Sequence, residues 1–127
     1  LINESESMML AGEKNMNAAA YSLLSLGPEI VVIKKGSNGA ELFSNKEHLK
    51  IGAFPVERVI DPTGAGDVFA GAFTACLSAG QTSQSALLNA SAMASICIES
   101  FGTERVQSAS NDEIRERVDF LSKTVKS

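Results

Sequence analysis

The 127 residues contain no tryptophan, one tyrosine, one histidine, two cysteines and three prolines. A single histidine, His48, gives no basis for a multi-histidine metal site or for a Ser-His-Asp triad. Cys76 and Cys97 belong to no CxxC or Cys/His cluster, so they read as buried thiols in a reducing compartment rather than as a disulfide framework. Positive charge is also short. Eleven Lys and Arg face fifteen Asp and Glu, for a net charge of −4, the opposite of what a nucleic-acid surface needs. With 44% apolar and 20% charged residues the chain is not of the disordered class. No signal-peptide pattern opens it, and a cytoplasmic location is the expectation.

Long apolar runs are missing too. Val68 to Ile98 carries no charged residue, yet Gly80-Gln81-Thr82-Ser83-Gln84-Ser85 divides it. Each half falls short of the roughly 20 apolar residues that cross a bilayer. The halves read as two interior helices, and no membrane partner is expected.

What is present alternates helix with strand. Asn3 to Gly12 looks like a strand end turning into a short helix, and Asn15 to Leu26 like a second helix closed by Gly27-Pro28. Ile30-Val31-Val32-Ile33 is a β-branched run, as in strands buried on both faces of a parallel sheet. Gly36 to Gly39 is a turn. Ala40 to Ser44 and His48 to Ala53 alternate around Asn45-Lys46-Glu47 as a hairpin, with His48 facing solvent, and Val56 to Ile60 follows as a further strand. Helices are expected over Val68 to Ala79 and around Leu87, Ser91, Ala94 and Ile98. Ser110-x-x-Glu113 caps a last surface helix striped by Ile114, Val118, Leu121 and Val125. The chain reads as one α/β unit, residues 1–127.

The chemistry concentrates in Asp61-Pro62-Thr63-Gly64-Ala65-Gly66-Asp67. Two glycines around an alanine let the backbone approach a ligand, and amides at a helix start favour an anion. A carboxylate there competes with that anion, unless Asp67 takes a proton from an alcohol while the amides hold a phosphoryl group. The other reading is structural: Asp67 caps the helix above a tight turn. The stretch is neither a GxxxxGK[ST] loop nor a dinucleotide fingerprint, whose third glycine would fall at Phe69.

Asp61 to Gly71 resembles the C-terminal signature of the PfkB (ribokinase-like) family of carbohydrate and nucleoside kinases. Asn3-Glu4-Ser5-Glu6 resembles that family's Asn-x-x-Glu motif, and Lys34-Lys35-Gly36-Ser37-Asn38-Gly39 its Gly-x-x-Gly nucleotide turn. The resemblance covers essentially the whole chain as the C-terminal half of a family member. It implies a ribokinase-like layered fold, a mostly parallel sheet with a hairpin and flanking helices. It also implies ATP-dependent phosphorylation of a hydroxyl on a sugar, or alternatively on a nucleoside, or a nucleotide-binding portion without catalysis of its own.

By the same resemblance Asp67 is the base, and Gly64, Ala65 and Gly66 form the anion hole for the γ-phosphoryl group. Lys34, Gly36, Ser37 and Gly39 shape the nucleotide site. Either Asn89 or Ser91 lines the adenine pocket, since the stretch 89–102 is longer than the ribokinase pattern. Asn3 and Glu6 hold Mg²⁺ largely through water, and Asp61 and Thr63 match positions for a monovalent cation such as K⁺, completed by carbonyls of 100–102. The upstream half carries most sugar contacts, so self-association or pairing with that half is expected.

Overall fold

The computed structural model describes residues 2–3, 15–56, 64–99 and 111–126. Their contacts divide into two units, Leu1–Gly52 with Val125–Ser127, and Ala53–Thr124.

In the first unit, Asn15 starts helix α1 (Met16–Leu24) because its Oδ1 accepts the otherwise unpaired amides of Asn17 at 2.9 Å and Ala18 at 3.2 Å. Strands β1 (Ile2–Asn3), β2 (Ile30–Lys34), β3 (Ala40–Ser44) and β4 (His48–Ile51) form one sheet in that order. Only β1 and β2 run parallel; β2–β3 and β3–β4 are antiparallel. The sheet described is therefore not mostly parallel. The connections explain why: 35–39 and 45–47 are long enough for reversals, whereas a parallel crossover needs a dozen residues or more. The Ile30–Ile33 run reported burial correctly, since Val31, Val32 and Ile33 are all buried, but burial does not fix direction.

Ala20, Val31, Ile33 and Phe43 form the core between α1 and the sheet, with Met16, Leu23 and Leu24 packed against it. Burying Phe43 alone contributes about 2–3 kcal/mol. Strand β3 departs from simple alternation, because Ala40, Leu42 and Phe43 are buried and Glu41 is too, at 1% exposure. The register places Glu41 opposite Lys50, and Phe43 opposite His48. Glu41 binds Lys35 Nζ at 3.0 Å and His48 Nε2 at 2.8 Å, with Lys50 Nζ at 3.8 Å. His48 is thus not solvent-facing: its ring stacks on Phe43 at 4.2 Å. Burial pushes the Glu41 carboxyl up, but the bonds from Lys35 and His48, with the Lys35 and Lys50 charges, outweigh it and hold the group below its usual range.

In the second unit, α2 (Ala65–Ser78) and α3 (Ser83–Cys97) pack together, and α3 packs on α4 (Asn111–Ser122). Helix α3 starts where Thr82 Oγ1 accepts Ser85 N at 3.1 Å. It is buried nearly all round, and its alanines at 86, 90, 92 and 94 let neighbours approach closely. Helix α4 is less superficial than its charge pattern suggests. Arg117 is buried, bonded through Nη1 to Ser95 Oγ at 2.9 Å and through Nη2 to Glu99 Oε1 at 2.5 Å, with Phe54 stacked 4.5 Å from its Cζ. The helix ends at Ser122, so Val125 is not on its stripe. Cys97 is buried but Cys76 only half-buried, so the expectation of two buried thiols holds for one. No described helix is long and apolar enough to cross a membrane. Of the expected strand at Val56 to Ile60, Val56 lies in no strand and 57–60 lie outside the described residues, as do the short helix after Asn3 and the cap at Ser110.

The turn between β2 and β3 is clamped at its end. Gly39 has φ +92°, and a Cβ there would lie 2.0 Å from the Ile51 carbonyl oxygen. Gly36, at φ +58°, has open space around it. Gly39→Ala is expected to cost at least about 2 kcal/mol, and Gly36→Ala about 1 kcal/mol, in urea unfolding free energy. Equal costs would contradict the clamp. Acid should act through Glu41. Its proton is bound more readily by the unfolded chain, so its contribution is full above the unfolded carboxyl's titration at about pH 4.3. It is lost as the pH falls through the lower folded value. Unfolding free energy measured across this range should fall less steeply in Glu41→Gln than in the parent.

Candidate phosphate and nucleotide site

The second unit carries the loop that the sequence singled out, and its helix starts earlier than expected, which removes the reading of Asp67 as the cap. Helix α2 begins three residues before Val68. Gly64 is its N-cap, with left-handed φ 85° and ψ −10°, and Val68 N donates to Gly64 O at 2.9 Å as the first helical bond. Asp67 therefore is not the cap but lies in the first turn, exposed. The amides of Ala65, Gly66 and Asp67 precede that first bond, so helix geometry gives them no intrahelical acceptor. Glycine at 64 supplies the left-handed backbone without a side chain to cover those amides. Ala65 is buried, and a Cβ built on Gly66 would meet no described atom within 4 Å. The result is a helix start open to an anion, with a carboxylate in its first turn.

The first unit holds the second element. Asn3 and Lys34 are register partners at the carboxyl ends of the parallel pair β1–β2, the end at which open α/β sheets bind ligands. Burial lowers the Lys34 ammonium below the usual lysine range. A 3₁₀ turn over Gly36–Asn38 follows, closed by Lys35 N to Gly39 O at 2.8 Å and by Gly39 N to Gly36 O at 3.1 Å. Gly36, Ser37 and Gly39 thus share one tight turn next to Lys34.

The remaining sites divide. Asn89 and Ser91 both lie half-buried on α3. The Asn89 amide donates to Ser85 O at 2.9 Å and Gln81 Oε1 at 3.3 Å, which ties it to its own helix start. Glu6, Asp61 and Thr63 lie outside the described residues. Among the described residues no group of three His, Cys, Asp or Glu side chains could hold a metal ion. Of the proposed metal ligands only Asn3 is described, as backbone at the end of β1. The helix start fits a phosphoryl group, whereas the described donors alone do not make a magnesium site.

The Glu41 cluster was missed, although a signal existed. Once the hairpin is registered about 45–47, Glu41 falls opposite Lys50 and two residues from the Phe43–His48 pair.

Known proteins resemble this chain over most of its length. Residues 1–109 match the family described as pfkB family carbohydrate kinase. The chain is 36% identical over 102 residues to a Bacillus subtilis ribokinase, covering 80% of this chain and 33% of that protein. It is 37% identical over 81 residues to a Thermococcus kodakarensis cytidine kinase, covering 62% of this chain and 29% of that protein. It therefore spans about a third of the length of these relatives. A crystal structure from E. coli, solved with ATP and Mg²⁺, superposes with a TM-score of 0.80 at 29% identity, over 96% of this chain and 38% of that one. A family match over 109 of the 127 residues is a family assignment: this chain belongs to the pfkB family of carbohydrate kinases.

Proposed function

We propose that the protein containing this chain transfers the γ-phosphoryl group of ATP to a hydroxyl of a sugar. The observation that carries the proposal is the start of α2, where Gly64 is left-handed and Asp67 stands exposed in the first turn. The Asp67 carboxylate accepts the acceptor hydroxyl's proton late, as its oxygen bonds to phosphorus and the bond to the ADP oxygen breaks. The helix-start amides at Gly64, Ala65 and Gly66, with that of Asp67, donate to the phosphoryl oxygens on which charge develops. The Gly36–Gly39 turn with Ser37 takes the nucleotide, Lys34 meets a phosphate, and Asn89 or Ser91 faces the adenine.

Mg²⁺, when bound, neutralises phosphate charge. Asn3 and Glu6 would hold it, largely through water, and Asp61 and Thr63 would hold a monovalent cation such as K⁺. A nucleoside acceptor is the second reading, favoured by the similarity to a cytidine kinase. Its reacting group is equally an alcohol, so the machinery assigned to Asp67 is unchanged. The proposed setting is cytoplasmic, with association either between copies or with upstream sequence.

In the full-length enzyme, Asp67→Asn should lower kcat by about 10²–10⁴-fold while calorimetry finds Mg-ATP affinity within a few fold of the parent. Substantial residual turnover would remove Asp67 as the base. Assaying ribose against cytidine as acceptor separates the two substrate readings. Nucleotide binding with no transfer to either, or to any wider panel of sugars and nucleosides, would favour a binding portion without catalysis.

A further inference from the structure

Glu41 has no part in the chemistry above, yet it is a carboxylate at 1% exposure in a strand whose neighbours are apolar. A buried ion pair is seldom retained for stability alone, since an apolar replacement of similar volume is often as stable. Its partners suggest another use. Lys35 is the residue from which the 3₁₀ turn starts, and Asn38 N donates to Lys35 O at 3.1 Å. Lys35 Nζ reaches back to Glu41 Oε2 at 3.0 Å, while Glu41 Oε1 holds His48 of β4 at 2.8 Å. At the other end of the turn Gly39 rests against the Ile51 carbonyl, also on β4. Both ends of the turn are thereby referred to one strand, the first through a charge relay of fixed length and the second by direct contact.

We propose that Glu41 is a positioning residue for the nucleotide turn, setting Gly36–Gly39 on the hairpin through Lys35 and His48. The inference rests on the assignment of that turn to nucleotide binding. Without the Lys35–Glu41 pair the turn samples other conformers, and apparent affinity falls by the fraction that stays competent.

The test is calorimetric titration of the intact protein with Mg-ATP, together with thermal melting of each variant. Glu41→Gln removes a negative charge, so general electrostatics would strengthen binding of an anionic nucleotide. Loss of positioning instead weakens it, by about tenfold if the competent fraction drops to about a tenth. Lys35→Met breaks the same pair from its more exposed side and serves should Glu41→Gln fail to fold. It should weaken binding to a similar degree, and Lys35→Arg should restore it to within about twofold, since arginine keeps the carboxylate bond. The double variant Glu41→Gln with Lys35→Met should bind no worse than the weaker single.

Unchanged or tighter binding in folded Glu41→Gln overturns the proposal. So does a Lys35→Arg variant as weak as Lys35→Met. A drop in melting temperature with unaltered affinity would leave Glu41 a purely structural role and overturns it as well. Failure of the parent to bind Mg-ATP would instead remove the nucleotide reading itself, and the inference with it.

Discussion

The left-handed backbone at Gly64 decides where α2 begins, and the rest of the proposed phosphate site follows from that choice. Starting the helix there leaves three successive amides before the first helical bond at Val68 and places Asp67 one turn in rather than at the cap. A residue with a side chain at 64 would carry strain in that conformation, and a serine or aspartate would close the amides with its own oxygen. The loop trades a capping bond for openness. Dipole and amides favour an anion, while the exposed carboxylate in the same turn opposes one. A group that carries negative charge and delivers a proton-bearing oxygen to the same place satisfies both.

Much of this was legible in order and type. The strand at Ile30–Ile33, the turn at Gly36–Gly39 and the hairpin about Asn45–Glu47 stand where their patterns placed them, and the two helices of the uncharged stretch are both present. Boundaries and orientation were harder. The glycine-rich loop was expected to run up to a helix starting at Val68, but Gly66 is inside the helix. A β-branched run reports burial and cannot report whether the next strand returns or crosses over. Glu41 and Arg117 were hidden for a common reason. Alternation and amphipathic stripes assign charged residues to solvent, and only the partners brought in by the fold, Lys35 and His48 for one and Ser95 and Glu99 for the other, permit their burial.

These two buried charges do similar work in their separate units. Arg117 gathers a hydroxyl and a carboxylate from the end of α3 and offers its face to Phe54, so one guanidinium fixes α4, α3 and the segment before α2. Glu41 gathers a turn and two positions of a neighbouring strand. In each case a single multivalent group joins several segments by directed bonds. That is useful where a loop must be held in place and cannot be enclosed.

The chain's return at Lys126 has a consequence for how copies of the protein can meet. Lys126 exchanges both backbone bonds with Lys50, at 2.7 and 2.8 Å, on the side of β4 away from β3. A strand from another molecule approaching that side would find the ladder already occupied at Lys50. It would also meet two exposed lysines, of which Lys50 has its ammonium 3.8 Å from Glu41 Oε1. A border already bonded at that residue and flanked by lysines is a poor template for a fifth strand there. Growth of the sheet from molecule to molecule is therefore disfavoured at that point of β4, where the backbone bonds of Lys50 are already taken by the chain's own Lys126.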